Sequence, residues 1–114
     1  MKNKLRVWWM PQIPMKPFYV PVNSVEEGKK VLDMLAAYDL FQLQNNVKPD
    51  FCNTGGLQIW DEEENDWCDW YLETEDDWFE DIDDYCDSDY CKQKEELQEF
   101  NEALFSQIDY SNLD

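Results

Sequence analysis

Histidine is absent from all 114 residues. That removes the side chain that most often serves as general base and metal ligand near neutral pH. It also leaves every serine and cysteine without the usual partner that activates a nucleophile. Glycine is scarce, and the one adjacent pair, Gly55-Gly56, lacks both the P-loop lysine and the spaced glycines of a dinucleotide fingerprint. None of the four cysteines, Cys52, Cys68, Cys86 and Cys91, forms Cys-x-x-Cys, and the closest pair is separated by four residues. Reduced thiols, at least two of them buried among aromatics, are expected in place of a zinc site. Asp81-Ile82-Asp83-Asp84-Tyr85 opens like a calcium loop, but Cys86 stands where the sixth-position glycine belongs and Tyr85 fills the fifth. Pairs of carboxylates, the equipment of glycosidases, arise here by chance because acids are so abundant. The expectation is a protein without catalytic activity, cofactor or metal.

No stretch approaches the roughly 18 apolar residues of a membrane span. Met1–Arg6 is followed by only a few apolar residues before Pro11 and Pro14, so no signal peptide is read, and a cytoplasmic protein is expected.

Positive charge is the other shortage. Nine Lys and Arg face 27 Asp and Glu, a formal net charge of −18. Residues 1–60 hold seven basic residues against five acids. Residues 61–114 hold only Lys92 and Lys94 against 22 acids. Such a polyanion repels nucleic acid and anionic membranes, so direct binding to either is not expected. It attracts basic surfaces, which are typically those that themselves bind nucleic acid.

What is present is enough apolar material to fold. Hydrophobic residues make up 43% and aromatics 16% of the chain, too much for a disordered polymer, and the length suits one domain with a modest core. Leu5–Met10 alternates like a strand, and Phe18–Val22 reads as a second strand whose Pro21 suits an edge. Trp8 and Trp9 point to opposite faces, one of them into the core. Ser24-Val25-Glu26-Glu27 is a capping box, and Val31, Leu32, Leu35, Ala36 and Leu43 recur at helical spacing to about Gln44. Asn45-Asn46 stops that helix, and Lys48-Pro49-Asp50 carries the chain away. Gly55-Gly56 reads as a turn before a strand at Leu57–Trp60. Asp61–Asp66 reads as a hairpin loop, and Trp67–Leu72 as the returning strand. Thr74 is placed to cap a short acidic helix over Glu75–Tyr85, with Trp78, Ile82 and Tyr85 on one stripe. A last helix covers Tyr90–Ile108, faced by Leu97, Phe100, Leu104 and Ile108, with a frayed tail from Asp109. The fold class is α+β: a small single domain in which about four antiparallel strands (residues 5–72) pack on a main helix, with acidic C-terminal helices.

The segment from Asp61 to Asp89 carries 16 acids in 29 residues with no Lys or Arg, interleaved with Trp67, Trp70, Tyr71, Trp78, Phe79 and Tyr85. Its candidate partner-binding residues are Asp61, Glu62, Glu63, Glu64, Asp66, Asp69, Glu73, Glu75, Asp76, Asp77, Trp78, Glu80, Asp81, Asp83, Asp84, Asp87 and Asp89. Carboxylates at this density offer Lys and Arg what a phosphate backbone offers, one charge per about 1.7 Å of duplex. The plain alternative is a solvated acidic face that only keeps the protein soluble.

Two runs carry a resemblance. The first is Val7-Trp8-Trp9-Met10-Pro11-Gln12-Ile13-Pro14-Met15-Lys16-Pro17-Phe18-Tyr19-Val20-Pro21-Val22. The second is Ala36-Ala37-Tyr38-Asp39-Leu40-Phe41-Gln42, continued by Asn45-Asn46-Val47-Lys48-Pro49-Asp50 and Asn53-Thr54-Gly55-Gly56-Leu57. They resemble a family of small bacteriophage proteins labelled superinfection-exclusion proteins. The similarity is read over about residues 5–72, with departure from relatives expected in the acidic extension. The resemblance implies a phage accessory protein acting on the host or on a competing phage. Three functions fit that role. The first is a stoichiometric inhibitor that binds a host protein with a basic nucleic-acid-binding surface, such as a defence protein, through a nucleic-acid-mimicking face. The second is exclusion of a second phage through an envelope or entry partner. The third is a structural or assembly role in the virion.

Overall fold

A computed structural model describes residues 4–45 and 53–108. Four strands form one antiparallel sheet in the order β2-β1-β3-β4: β1 (Leu5–Met10), β2 (Phe18–Val22), β3 (Thr54–Asp61) and β4 (Asp66–Asp69). The helix α1 (Val25–Gln44) joins β2 to the β3 side. A two-stranded ribbon, β5 (Leu72–Glu73) with β6 (Trp78–Phe79), and the helices α2 (Ile82–Cys86) and α3 (Lys94–Phe105) complete the chain. The class is α+β, as the alternation of strand and helix signals implies.

Register explains the core. On β1, Leu5, Val7 and Trp9 pair with Val22, Val20 and Phe18 on one side and with Ile59, Leu57 and Gly55 on the other. Side chains alternate along a strand, so these residues share one face, and α1 covers it. Gly28 makes the close approach possible: a Cβ there would stand 3.0 Å from Leu57 Cδ1 and 3.7 Å from both Val22 and Val7. Val7, Val22, Leu57 and Trp70 form the buried centre, flanked by Val25, Val31, Leu32 and Leu35 of α1. Phe18 shares their parity yet lies 62% exposed at the end of edge strand β2. Pro21 sits on that edge strand, where no outer ladder bond is lost.

The start of α1 departs slightly from a capping box. The Ser24 hydroxyl accepts from Glu27 N at 3.0 Å, but the Glu27 carboxylate accepts from Asn23 N at 3.2 Å, one residue before the cap. Asn45 ends the helix, its side chain donating to the Phe41 carbonyl at 2.8 Å. Asp39, buried on α1, accepts from Asn53 Nδ2 at 2.9 Å, which ties the helix to the start of β3. The expected roles of Asn46, of Lys48-Pro49-Asp50 and of the tail from Asp109 lie outside the described residues.

Four expectations need correction. Gly55 and Gly56 are inside β3 and form no turn. Their small size, and no special backbone angle, is what the fold uses: Trp9 lies across Gly55 and Trp8 across Gly56, on opposite faces. Trp9 is thereby buried, while Trp8 is partly covered on the far face. The returning strand ends at Asp69, and Leu72 pairs with Phe79 in the separate ribbon. The acidic helix shrinks to Ile82–Cys86, because Thr74 closes a turn by accepting from Asp77 N at 2.8 Å and the chain then extends as β6. Asp81 is the actual cap, accepting from Asp83 N at 2.8 Å. The last helix begins at Lys94, four residues late, and Ile108 is buried just beyond its end.

Adding a methyl at either strand glycine must therefore displace a tryptophan. A Cβ on Gly56 would meet Trp8 Nε1 at 2.7 Å, whereas one on Gly55 would meet the Trp9 ring and the Trp8 carbonyl oxygen, 2.8 Å away. Gly55→Ala is expected to cost about 3 kcal/mol and Gly56→Ala about 1 kcal/mol, the range of overpacking. Urea unfolding of the two variants checks both the loss and its order.

Candidate functional site

The acidic segment is not a free tail. Trp70 is buried in the main core, and Tyr85 of α2 packs edge-on against it, with ring centroids 5.7 Å apart and planes at 70°. Phe79 of β6 meets Tyr85 the same way at 5.8 Å and also contacts Tyr90 at 5.7 Å. A second small core of Cys86, Cys91 and Leu97 builds on Ile82 and Tyr85 and brings in α3. Both expected buried thiols are therefore Cys86 and Cys91; Cys68 is half-buried, and Cys52 lies outside the described residues.

Polar contacts from α1 lock this arrangement. The Tyr85 hydroxyl donates to Glu26 Oε2 at 3.2 Å. Lys29 Nζ lies 2.9 Å from Asp33 on its own helix and 2.9 Å from Asp83 on α2. Burial tends to lower the Lys29 pKa, but hydrogen bonds and charge attraction from Asp83 and Asp33 outweigh it and raise it. Tyr85 is pushed up to about 12, first by burial and then by the Glu26 charge and hydrogen bond. Cys86 also rises to about 12, first through burial and then through Cys91. Burial, and then the charges of Asp61, Asp69 and Asp66, raise Cys68.

Every proposed site residue except the half-buried Asp61 is exposed. Four of the sixteen acids do structural work. Asp61 accepts from Glu63 N and Glu64 N in the β3–β4 turn, Asp66 from Trp67 N, Asp81 caps α2, and Asp83 pairs with Lys29. The other twelve carboxylates make no hydrogen bond or ion pair with the described residues. Trp78 does not join Ile82 and Tyr85 in a stripe. It stands on β6, 53% exposed, stacked on the equally open Tyr71 with centroids 5.0 Å apart and planes at 14°. Tyr71 is the residue that sequence reasoning left out of the site. Its signal was alternation: Trp70 turns inward, so its neighbour faces out. The segment thus presents both unpaired carboxylates and an open aromatic pair, groups that suit recognition of cationic side chains. Among the described residues no three of His, Cys, Asp and Glu are grouped to hold a metal ion, and no helix is long and apolar enough to cross a membrane.

A profile described as superinfection exclusion gene product 17 matches residues 4–91. The chain belongs to this family. The match runs through β6 and α2, so the acidic segment lies within the family's span. Residues 1–3 and 92–114, the latter including α3, lie beyond the match. The chain is also similar to a superinfection exclusion protein of Salmonella phage P22, 54% identical over 81 aligned residues that take in 61% of this chain and 79% of the relative. No solved structure matches.

The junction gives two predictions. Lys29→Met leaves the buried Asp33 carboxylate unpaired and is expected to cost about 3 kcal/mol. Asp83→Asn removes only an exposed partner (65% accessible) and is expected to cost under about 1 kcal/mol. Chemical denaturation of both variants separates the two losses. The pH dependence follows from three raised pKa values. Lys29, Tyr85 and Cys86 each hold the proton more tightly when folded, so their contribution is full below the ordinary values of 10.5, 10.0 and 9.0. It is lost as pH climbs towards the folded values, about 12 for Tyr85 and Cys86. Melting temperature is expected to stay level from pH 7 to 8.5 and to fall between pH 9 and 11, more steeply than in a Cys86→Ala, Tyr85→Phe variant.

Proposed function

We propose that this phage protein excludes a second phage by binding, without catalysis, a protein that entry or establishment of that phage requires. It works stoichiometrically in the cytoplasm of the infected cell and engages a basic surface of its partner through residues 61–89. The observation that carries this reading is the set of twelve exposed, unpaired carboxylates in the same segment as the open Tyr71–Trp78 pair, a segment that Trp70, Phe79 and Tyr85 tie to the core. A face that served only solubility would need neither the aromatic pair nor the anchoring. Membership of the superinfection exclusion family supports the biological role.

The charge density favours a second reading, distinct from exclusion, in which the partner handles nucleic acid and the carboxylates stand in for phosphates. A host defence protein is one such partner. On this second reading, added DNA or RNA competes with the phage protein for its partner, and the protein rescues a phage in a defended host.

The quadruple variant Glu75→Gln, Asp76→Asn, Asp77→Asn, Glu80→Gln tests the shared claim, since all four side chains are exposed and none is a cap or an ion-pair partner. Cells expressing the wild-type protein are expected to resist a challenge phage, and cells expressing the variant at equal level to plate it as the empty host does. At about 0.7 kcal/mol for each rim carboxylate, the loss of affinity is roughly 100-fold. Full exclusion by a folded variant would remove the acidic face from the mechanism.

A further inference from the structure

The sheet has a second face, opposite α1, and it carries the chain's only arginine. Arg6 projects from β1 between two rings. Its guanidinium carbon lies 3.7 Å from the Tyr19 ring centre on β2 and 4.2 Å from that of Trp67 on β4. Nε donates to Gln58 Oε1 at 2.8 Å, which fixes the rotation of the fork and leaves the Nη edge. No carboxylate among the described residues pairs with Arg6 or with Lys4, although the chain holds 27 acids. Residues 1–25 contain Lys2, Lys4, Arg6 and Lys16 and no acid. A groove of about 530 Å³ opens beside the fork, lined by Lys4, Arg6, Tyr19, Pro21, Asn23 and Trp67.

We propose that this groove is a carboxylate-recognition site, occupied by a segment of a partner protein that presents one carboxylate beside an apolar side chain. The inference stands apart from the acidic face and does not depend on it. Stacking has already immobilised the guanidinium, so little side-chain entropy is left to lose on binding. With Nε committed to Gln58, the two Nη groups offer the parallel donors that a planar carboxylate accepts bidentately. The flanking Tyr19, Pro21 and Trp67 supply an apolar wall for the neighbouring side chain. Charge complementarity calls for an anion, and the net charge of −18 selects a singly charged one, because a polyanion is repelled by the rest of the molecule.

The test uses the full chain and small probes followed by NMR at the Arg6 Nε–H and the Trp67 indole N–H. N-acetyl-phenylalanine is expected to shift both signals saturably with a Kd of about 1 mM. Its amide and inorganic phosphate are expected to bind at least about tenfold more weakly, because neither combines a single negative charge with an apolar body. Arg6→Lys keeps the charge and loses the fork, and is expected to weaken the acid about tenfold with the melting temperature within a few degrees of wild type. The proposal is overturned by an absence of saturable shifts, by equal binding of acid and amide, by phosphate binding as tightly as the acid, or by a folded Arg6→Lys that binds undiminished.

Discussion

Repulsion within the acidic half is the constraint around which the rest of the structure is arranged. Sixteen acids in 29 residues, with no Lys or Arg among them, push one another apart, and unpaired surface charge of one sign destabilises a compact state. What holds the segment is mostly apolar. Trp70 enters the main core, Tyr85 and Phe79 pack against it and each other, and Cys86, Cys91 and Leu97 close a second cluster behind them. The polar contribution is small and comes from α1: Glu26 accepts from Tyr85, and Lys29 serves Asp33 and Asp83 together. Among the described residues, a single half-buried lysine therefore carries the one ion pair between the scaffold and α2. The arrangement keeps most carboxylates exposed and unneutralised while fixing the backbone that bears them.

The two halves of the molecule divide the work. The runs by which the chain resembles its family form the scaffold: Trp8 and Trp9 lie on Gly56 and Gly55, and Asp39 meets Asn53. Trp8, Trp9, Asp39 and Asn53 come together because each solves a packing or hydrogen-bonding need. The family match nevertheless continues to residue 91, so the ribbon and α2 belong to the same unit as the sheet. The presented surface and the scaffold that presents it are one fold.

Much of this was legible beforehand. The four main strands and α1 announced themselves through alternation, the Ser24 cap and the Asn45 stop, because each rests on local chemistry. The glycine pair misled because adjacent glycines signal a turn, while here they make room for tryptophans from a strand distant in sequence. The acidic helix was overextended because Thr74 caps a turn as readily as a helix, and only the pairing of Leu72 with Phe79 decides between them. For the candidate site, composition located the segment and the exposure of its acids. The stacking of Tyr71 on Trp78 and the cross-strand seat of Arg6 depend on register and three-dimensional approach, which no single-sequence pattern encodes.

The central claim is that a rigidly held, unneutralised acidic face does the binding. Affinity capture of partners from a nuclease-treated lysate of phage-infected host cells, with the wild-type protein and the four-amide variant on parallel columns, tests it most directly. The account predicts a basic protein retained by the wild type, released by a rising salt gradient because screening weakens exposed charge contacts, and missing from the variant. The same proteins retained on both columns, with release indifferent to salt, would contradict it.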